Sequence, residues 1–148
     1  VFEETYRRVR LTPGIVELIA AVHARGGKVG VVSGGFHEVL DPLAADLRLD
    51  YWRANRLEVI DGALTGRLLG AIVDAQAKAD ALVEWAAAEQ IAWGSTVAIG
   101  DGANDLKMME VASLSVGFNA KPVVTEYADV SIEQDLREAI PLLDRLGE

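Results

Sequence analysis

The hydrophobic positions of this chain alternate between helical spacing and short unbroken runs. The first helix is predicted to begin at Thr12-Pro13-Gly14, with Thr12 as its cap and Pro13 at its first helical position, and to end at Gly26-Gly27. Its apolar residues recur at helical spacing, at Ile15, Val16, Ile19 and Val22. The apolar run 28–32 follows and predicts a buried strand, because such runs are typical of parallel sheets.

The same alternation continues to the end of the chain. After a predicted turn at Ser33-Gly34-Gly35, a helical pattern covers 36–47, and Asp61-Gly62 between two strand-like stretches predicts a β-hairpin. The remaining helices are predicted at 75–90, through 109–111 and at 135–146, and the remaining strands at 96–100, 114–117 and 130–132. This order predicts an α/β fold with a doubly wound parallel sheet and one hairpin insertion.

Composition narrows the classes of protein. A chain of 148 residues that is 51% hydrophobic is long enough for one domain with a real core and too apolar for disorder. The 23 acidic and 14 basic residues give a net charge of −9, which argues against nucleic acid or an anionic membrane as the main partner. The absence of cysteine excludes disulfides and thiolate chemistry. With no apolar run near the roughly 20 residues of a membrane span, we expect a cytoplasmic protein.

Two glycine-rich segments follow predicted strands. They therefore lie at the carboxyl ends of these strands, where parallel sheets usually carry their functional residues. Ser33-Gly34-Gly35 offers a hydroxyl and accessible backbone N–H groups to an anion, although the segment alone favours a plain turn capped by Ser33. The second segment, Gly100 to Asp105, carries Asp101 at a strand tip and Asp105 four residues later, with Asn104 beside it. Two converging carboxylates suit Mg²⁺, so we predict a metal site formed by Asp101 and Asp105. Lys78 on its own is typical of a solvated helix surface.

These residues together resemble the haloacid-dehalogenase-like phosphatases, over nearly the whole chain from about Leu11. The elements that carry the resemblance are Ser33-Gly34-Gly35-Phe36, Asn55 to Gly66, Lys78, Gly100-Asp101-Gly102-Ala103-Asn104-Asp105 and Ala120-Lys121-Pro122. Within this family, the Ser-Gly-Gly-Phe and Ala-Lys-Pro elements are most similar to the branch that acts on phosphoserine. The resemblance implies a Mg²⁺-dependent hydrolysis of O-phospho-L-serine to L-serine and phosphate, as part of serine biosynthesis. Another small phosphomonoester, or a non-catalytic role in binding phosphate or metal, is the alternative.

The resemblance also implies roles for individual residues. Ser33, Gly34 and Gly35 would bind the phosphoryl group, Lys78 would neutralise it, and Asn104 would contact the substrate. Asp101 would ligate Mg²⁺, and Asp105 would support both the metal site and Lys78. A hydroxyl, a lysine and a metal are together suited to phosphoryl transfer, because that reaction depends on positioning and charge stabilisation.

Two parts of the family pattern are missing from the sequence. The family reaction needs an aspartate nucleophile in an Asp-x-Asp motif on a central strand, and no Asp-x-Asp occurs in this chain. The helical cap that reads the substrate is also missing, and residues 1–10 correspond at most to its last helix. We therefore expect an incomplete core domain over 1–148 that is inactive alone. An N-terminal segment of a longer protein would supply the central strand, with a homo-oligomer as the alternative.

Overall fold

The computed structural model describes residues 11–69 and 72–146. The predicted helix at 1–10 lies outside this part of the chain. The β-strands are Gly30–Phe36 (β1), Tyr51–Ile60 (β2), Ala63–Leu69 (β3), Val97–Gly100 (β4), Leu114–Phe118 (β5) and Val130–Ile132 (β6). The α-helices are Ile15–Ala24 (α1), His37–Leu47 (α2), Ala75–Ala88 (α3), Leu106–Val111 (α4), Pro122–Tyr127 (α5) and Ile140–Leu143 (α6). Short 3₁₀ turns occupy Trp93–Ser95, Ala103–Asp105 and Leu136–Ala139.

The described strands form two separate three-stranded sheets. In the first, β1 pairs with β2 in parallel, and β2 pairs with β3 as an antiparallel hairpin. In the second, β4, β5 and β6 are all parallel. Positive φ angles of 52° at Asp61 and 76° at Gly62 confirm the predicted primed hairpin turn. The α/β fold class is therefore confirmed.

Apolar side chains cover both faces of the second sheet. On one face, Leu18 of α1 packs with Val116 of β5 and Leu136 near the C-terminus. On the other face, Ala98 of β4 packs with Met109 of α4 and Val124. Helices on both faces of a parallel sheet define a doubly wound arrangement, and they place the carboxyl ends of β4 and β5 at one open edge.

Three local predictions were wrong. Thr12 and Pro13 do not start α1, because the helix begins after Gly14, whose φ of 87° is left-handed, and the Pro13 carbonyl accepts a hydrogen bond from Leu136 N. The glycine segment 33–35 remains part of β1 as an irregular stretch of strand. The closing helix 135–146 is instead a 3₁₀ turn followed by the four residues of α6.

An apolar groove of about 660 Å³ separates the two sheets. Its opposite walls are the edges of β1, at Gly30 to Val32, and of β4, at Val97 to Ile99. Within residues 11–69 and 72–146, β1 pairs only with β2 and β4 only with β5, so these two facing edges have no strand between them. Trp85 of α3 lies against Gly30, where an added Cβ would come within 2.6 Å of the indole ring. The groove thus has an apolar lining that suits a buried strand, and two strand edges contribute to it.

Among the described residues, no helix has both the length and the apolar character needed to cross a membrane.

Candidate active site

The carboxyl end of β4 holds a buried ion pair between two elements. Lys78 lies in the first turn of α3, and its ammonium Nζ donates to Asp105 Oδ1 at 2.8 Å. Both residues are nearly inaccessible to solvent, with Lys78 7% and Asp105 5% exposed. A buried charge is costly unless it is paired, so the Lys78 ammonium depends on the Asp105 carboxylate. Lys78 is therefore not the solvated surface lysine that its local sequence alone suggested.

The second oxygen of the Asp105 carboxylate holds the backbone of the strand tip. Asp105 Oδ2 accepts hydrogen bonds from Asp101 N at 3.0 Å and from Gly102 N at 3.4 Å. Gly100 makes this approach possible, because a Cβ at that position would lie 2.5 Å from the Asp105 carboxylate. The described contacts thus engage both Asp105 oxygens, one with Lys78 and one with the turn that carries Asp101.

Asp101 presents a solvent-exposed carboxylate at the tip of β4. Its carbonyl accepts a hydrogen bond from Lys121 N at 3.0 Å, which joins the Ala-Lys-Pro element to the same turn. Asn104 is also exposed, on the 3₁₀ turn that follows. Sequence reasoning gave the Ala-Lys-Pro element no structural role, and the Lys121 backbone bond provides one.

Ser33, Gly34 and Gly35 lie toward the carboxyl end of β1, directly after Val32, which lines the groove. Ser33 Oγ accepts a hydrogen bond from Gly35 N at 2.9 Å, so the hydroxyl proton of Ser33 remains available to an acceptor. Gly34 is exposed, and a Cβ built on it would meet no atom within 4 Å. Its open surface allows a ligand to approach the backbone closely.

Residues 11–69 and 72–146 supply only some of the ligands that a metal ion at this edge would need. No group of three histidine or acidic side chains in this part of the chain is arranged to hold a metal ion. Mg²⁺ commonly takes only one or two protein carboxylates and completes its shell with water and substrate phosphate. The exposed carboxylate of Asp101 fits that pattern, whereas the Asp105 oxygens already have partners.

Comparison with known proteins shows the family to which the chain belongs. The profile of the haloacid dehalogenase-like hydrolases matches residues 1–110, and the chain belongs to that family. The chain is 46% identical to the phosphoserine phosphatase of Streptococcus thermophilus, over all of this chain and 69% of that protein. It is 49% identical to the phosphoserine phosphatase of Streptomyces coelicolor, over 97% of this chain and 34% of that protein.

Solved structures agree with these sequence matches. A probable phosphoserine phosphatase from Vibrio cholerae superposes with a TM-score of 0.91 at 41% identity, over 96% of this chain and 44% of that one. A structure described as a phospho-aspartyl intermediate analogue of phosphoserine phosphatase superposes with a TM-score of 0.89 at 42% identity, over 95% of this chain and 68% of that one. The resemblance predicted from the motifs is therefore confirmed, and the chain spans between about a third and two thirds of the relatives it matches.

Proposed function

We propose that this chain forms the phosphate- and metal-binding part of a Mg²⁺-dependent phosphatase that hydrolyses O-phospho-L-serine to L-serine and phosphate. The observation that carries the proposal is the buried Lys78–Asp105 pair, held against the Asp101 turn at the carboxyl edge of the sheet. The relatives named phosphoserine phosphatase, at 41–49% identity, supply the substrate class.

Each site residue has a role that its environment supports. The Ser33 hydroxyl and the exposed Gly34 backbone would bind oxygens of the phosphoryl group, since both are available from solvent. Lys78 would supply a fixed positive charge, because Asp105 restrains its ammonium group. Fixed donors and cations stabilise the charge of a transferring phosphoryl group without reorganising during the reaction.

Asp101 would bind Mg²⁺ through its exposed carboxylate, and Asn104 would contact the substrate from the following turn. When bound, the metal would offset negative charge on the phosphoryl oxygens. Asp105 would act on this site through its hydrogen bond to Asp101 N, which fixes the backbone that presents the Asp101 carboxylate.

The nucleophile would come from a strand that fills the apolar groove. No Asp-x-Asp motif occurs in the chain, and the groove lies between the two strands whose carboxyl ends carry Ser33 and Asp101. A strand parallel to β1 and β4 would bring its own carboxyl end to this edge. An aspartate there would attack phosphorus and form an aspartyl-phosphate as the bond from phosphorus to the serine oxygen breaks. The second aspartate of the motif would protonate that oxygen and would then accept a proton from the water that hydrolyses the aspartyl-phosphate.

The test compares this chain with an extended protein, in which the part of the Streptococcus thermophilus relative that the match leaves uncovered is fused ahead of residue 1. Phosphate release would be measured with O-phospho-L-serine, O-phospho-L-threonine and a sugar phosphate, each with and without Mg²⁺. We expect release only from the extended protein, only with Mg²⁺, and fastest with phosphoserine. Lys78→Met in the extended protein is the matched inactive control.

Two results would contradict the proposal. Turnover by the 148-residue chain alone would show that no outside nucleophile is needed. A folded extended protein that binds phosphate and leaves phosphoserine intact would show that the substrate assignment is wrong.

A further inference from the structure

Asn55 of β2 has a buried side chain with a backbone partner at each end. It is 6% exposed, although asparagine is usually found at the surface. Its amide Nδ2 donates to the carbonyl of Gly34 at 2.9 Å, and its Oδ1 accepts from Val73 N at 2.8 Å. One side chain therefore joins two segments, 21 and 18 residues away in sequence, that do not pair with each other through a strand ladder.

The first of these segments leaves the regular sheet at the phosphate-binding position. Val32 pairs with Arg53 and Phe36 pairs with Asn55, so Ser33, Gly34 and Gly35 stand opposite a single residue of β2. Extra residues in one strand disrupt the ladder and leave backbone groups without their usual partners. The Asn55 amide donates to the Gly34 carbonyl at this point and so fixes the Gly34–Gly35 peptide, whose N–H donates to Ser33 Oγ.

The second segment leads directly into the helix that carries Lys78. Val73 is buried, and the next residue, Asp74, caps α3 by accepting a hydrogen bond from Ala77 N at 2.8 Å. Lys78 N then donates to the Asp74 carbonyl at 3.1 Å, which closes the first turn. The bond to Val73 N thus anchors the residue that precedes the cap of α3, and Lys78 lies in the first turn after that cap.

We propose that Asn55 is a positioning residue that sets the Ser33–Gly34 segment relative to Lys78, so that both reach one phosphoryl group. This inference rests on the proposed phosphate site. The side-chain hydrogen bonds described for Asn55 go to the Gly34 carbonyl and the Val73 amide, so it would act on Ser33 and Lys78 through these two backbone groups. A misplacement of about 1 Å can cost on the order of 100-fold in rate, so a hydrogen bond at this junction matters beyond its contribution to folding.

Thr96 provides a matched control at the amino end of β4, the end away from the Asp101 turn. It is 8% exposed, and its Oγ1 donates to Trp93 O at 2.7 Å and accepts from Ser113 N at 3.0 Å. Like Asn55, Thr96 bridges two backbone groups with one buried side chain, but it precedes the amino end of the strand. Thr96→Val removes two side-chain hydrogen bonds, the number that Asn55 makes in the wild-type chain, at a distance from the phosphate-binding edge.

The experiment compares Asn55→Asp, Asn55→Ser and Thr96→Val in the extended protein. Asn55→Asp keeps an acceptor for Val73 N but replaces the donor to Gly34 with a carboxylate oxygen, and Asn55→Ser shortens the side chain without adding charge. The affinity for inorganic phosphate is measured by calorimetry, and the Gly34 and Lys78 amide signals are followed by ¹⁵N NMR. Urea midpoints report the stability of each variant.

We expect both Asn55 variants to lower phosphate affinity about 10- to 100-fold and to shift the Gly34 amide signal, whereas Thr96→Val changes the affinity less than about threefold. In phosphoserine turnover, the Asn55 variants should lower kcat/KM by more than Thr96→Val at matched stability. Equal losses of phosphate affinity in the Asn55 and Thr96 variants would overturn the positioning role. Because phosphate binding is measured apart from phosphoserine turnover, failure of the substrate assignment would be recognised separately.

Discussion

The Lys78–Asp105 pair predicts an asymmetric response to removal of either partner. If Asp105 is replaced by alanine, the Lys78 ammonium loses the only acceptor described for it, in a position that is 7% exposed. Removing one partner of a buried ion pair costs about 3–5 kcal/mol of unfolding free energy. If Lys78 is replaced by methionine, Asp105 retains two backbone N–H donors, at 3.0 and 3.4 Å, and the apolar stem of the side chain is preserved. We therefore expect a smaller cost for Lys78→Met, of about 1.5–3 kcal/mol, the range for a hydrogen bond to a charged group.

The measurement is urea unfolding of the 148-residue chain, followed by fluorescence of its three tryptophans and by circular dichroism. The double variant should be less destabilised than the sum of the two single variants by about 1–3 kcal/mol, because the second substitution removes a charge that the first left unpaired. Lys107→Met and Glu110→Ala, at exposed positions of α4, are the controls and should change stability by no more than about 0.5 kcal/mol.

Two results would refute this reasoning. If Lys78→Met destabilises the chain as much as Asp105→Ala, the two backbone N–H groups do not support the Asp105 carboxylate as the geometry indicates. If the two single effects simply add, the ammonium and the carboxylate are not coupled, and their 2.8 Å contact has no energetic meaning.

The remaining predictions concern the metal site and acid stability. Asp101→Asn in the extended protein removes a charged ligand and should weaken Mg²⁺ binding about tenfold or more, as measured by calorimetry. Glu110→Gln is the control and should leave the Mg²⁺ affinity unchanged. Equal Mg²⁺ affinity in the two variants would exclude Asp101 as a ligand. Burial raises the pKa of Asp50, but hydrogen bonds from Val29 N and His23 Nε2, both at 2.7 Å, outweigh it and hold the pKa below its ordinary value of 3.8. The unfolded chain therefore binds more protons near that pH, so the stabilisation by Asp50 is fully present above about pH 4 and is lost as the pH falls through the lower folded pKa. Asp50→Asn should cost about 1–3 kcal/mol at pH 6 and flatten the loss of stability below pH 4 in urea titrations, and an unchanged slope there would contradict the stated cause.

The sequence predicted the order of strands and helices because that information is local. Asp61-Gly62 supplies the two positive φ angles of the hairpin turn, and the apolar runs before Gly100 and Gly117 form parallel strands. The first and last helices of the described part of the chain were less predictable. The contact between Leu136 N and the Pro13 carbonyl joins residues far apart in sequence and replaces the helical ends that the local pattern favoured.

The site shows the same division between local and distant information. Asp101 and Asp105 are recognisable because both lie in one turn after an apolar run. Lys78 depended on a resemblance, since nothing in its own helix indicates that a carboxylate 27 residues later accepts its hydrogen bond. Asn55 gave no signal of its role, because both of its partners are backbone atoms whose approach depends on the folded sheet.

The central claim is that the Ser33–Gly34 segment and Lys78 bind one phosphate together. The direct measurement is a titration of the ¹⁵N-labelled extended protein with inorganic phosphate in the presence of Mg²⁺, observing the Gly34 amide and the Lys78 ammonium. We predict that both signals shift along a single binding curve with one dissociation constant. If phosphate binds while either signal stays unchanged, or if the two respond at different concentrations, the residues do not share a ligand and the account is contradicted.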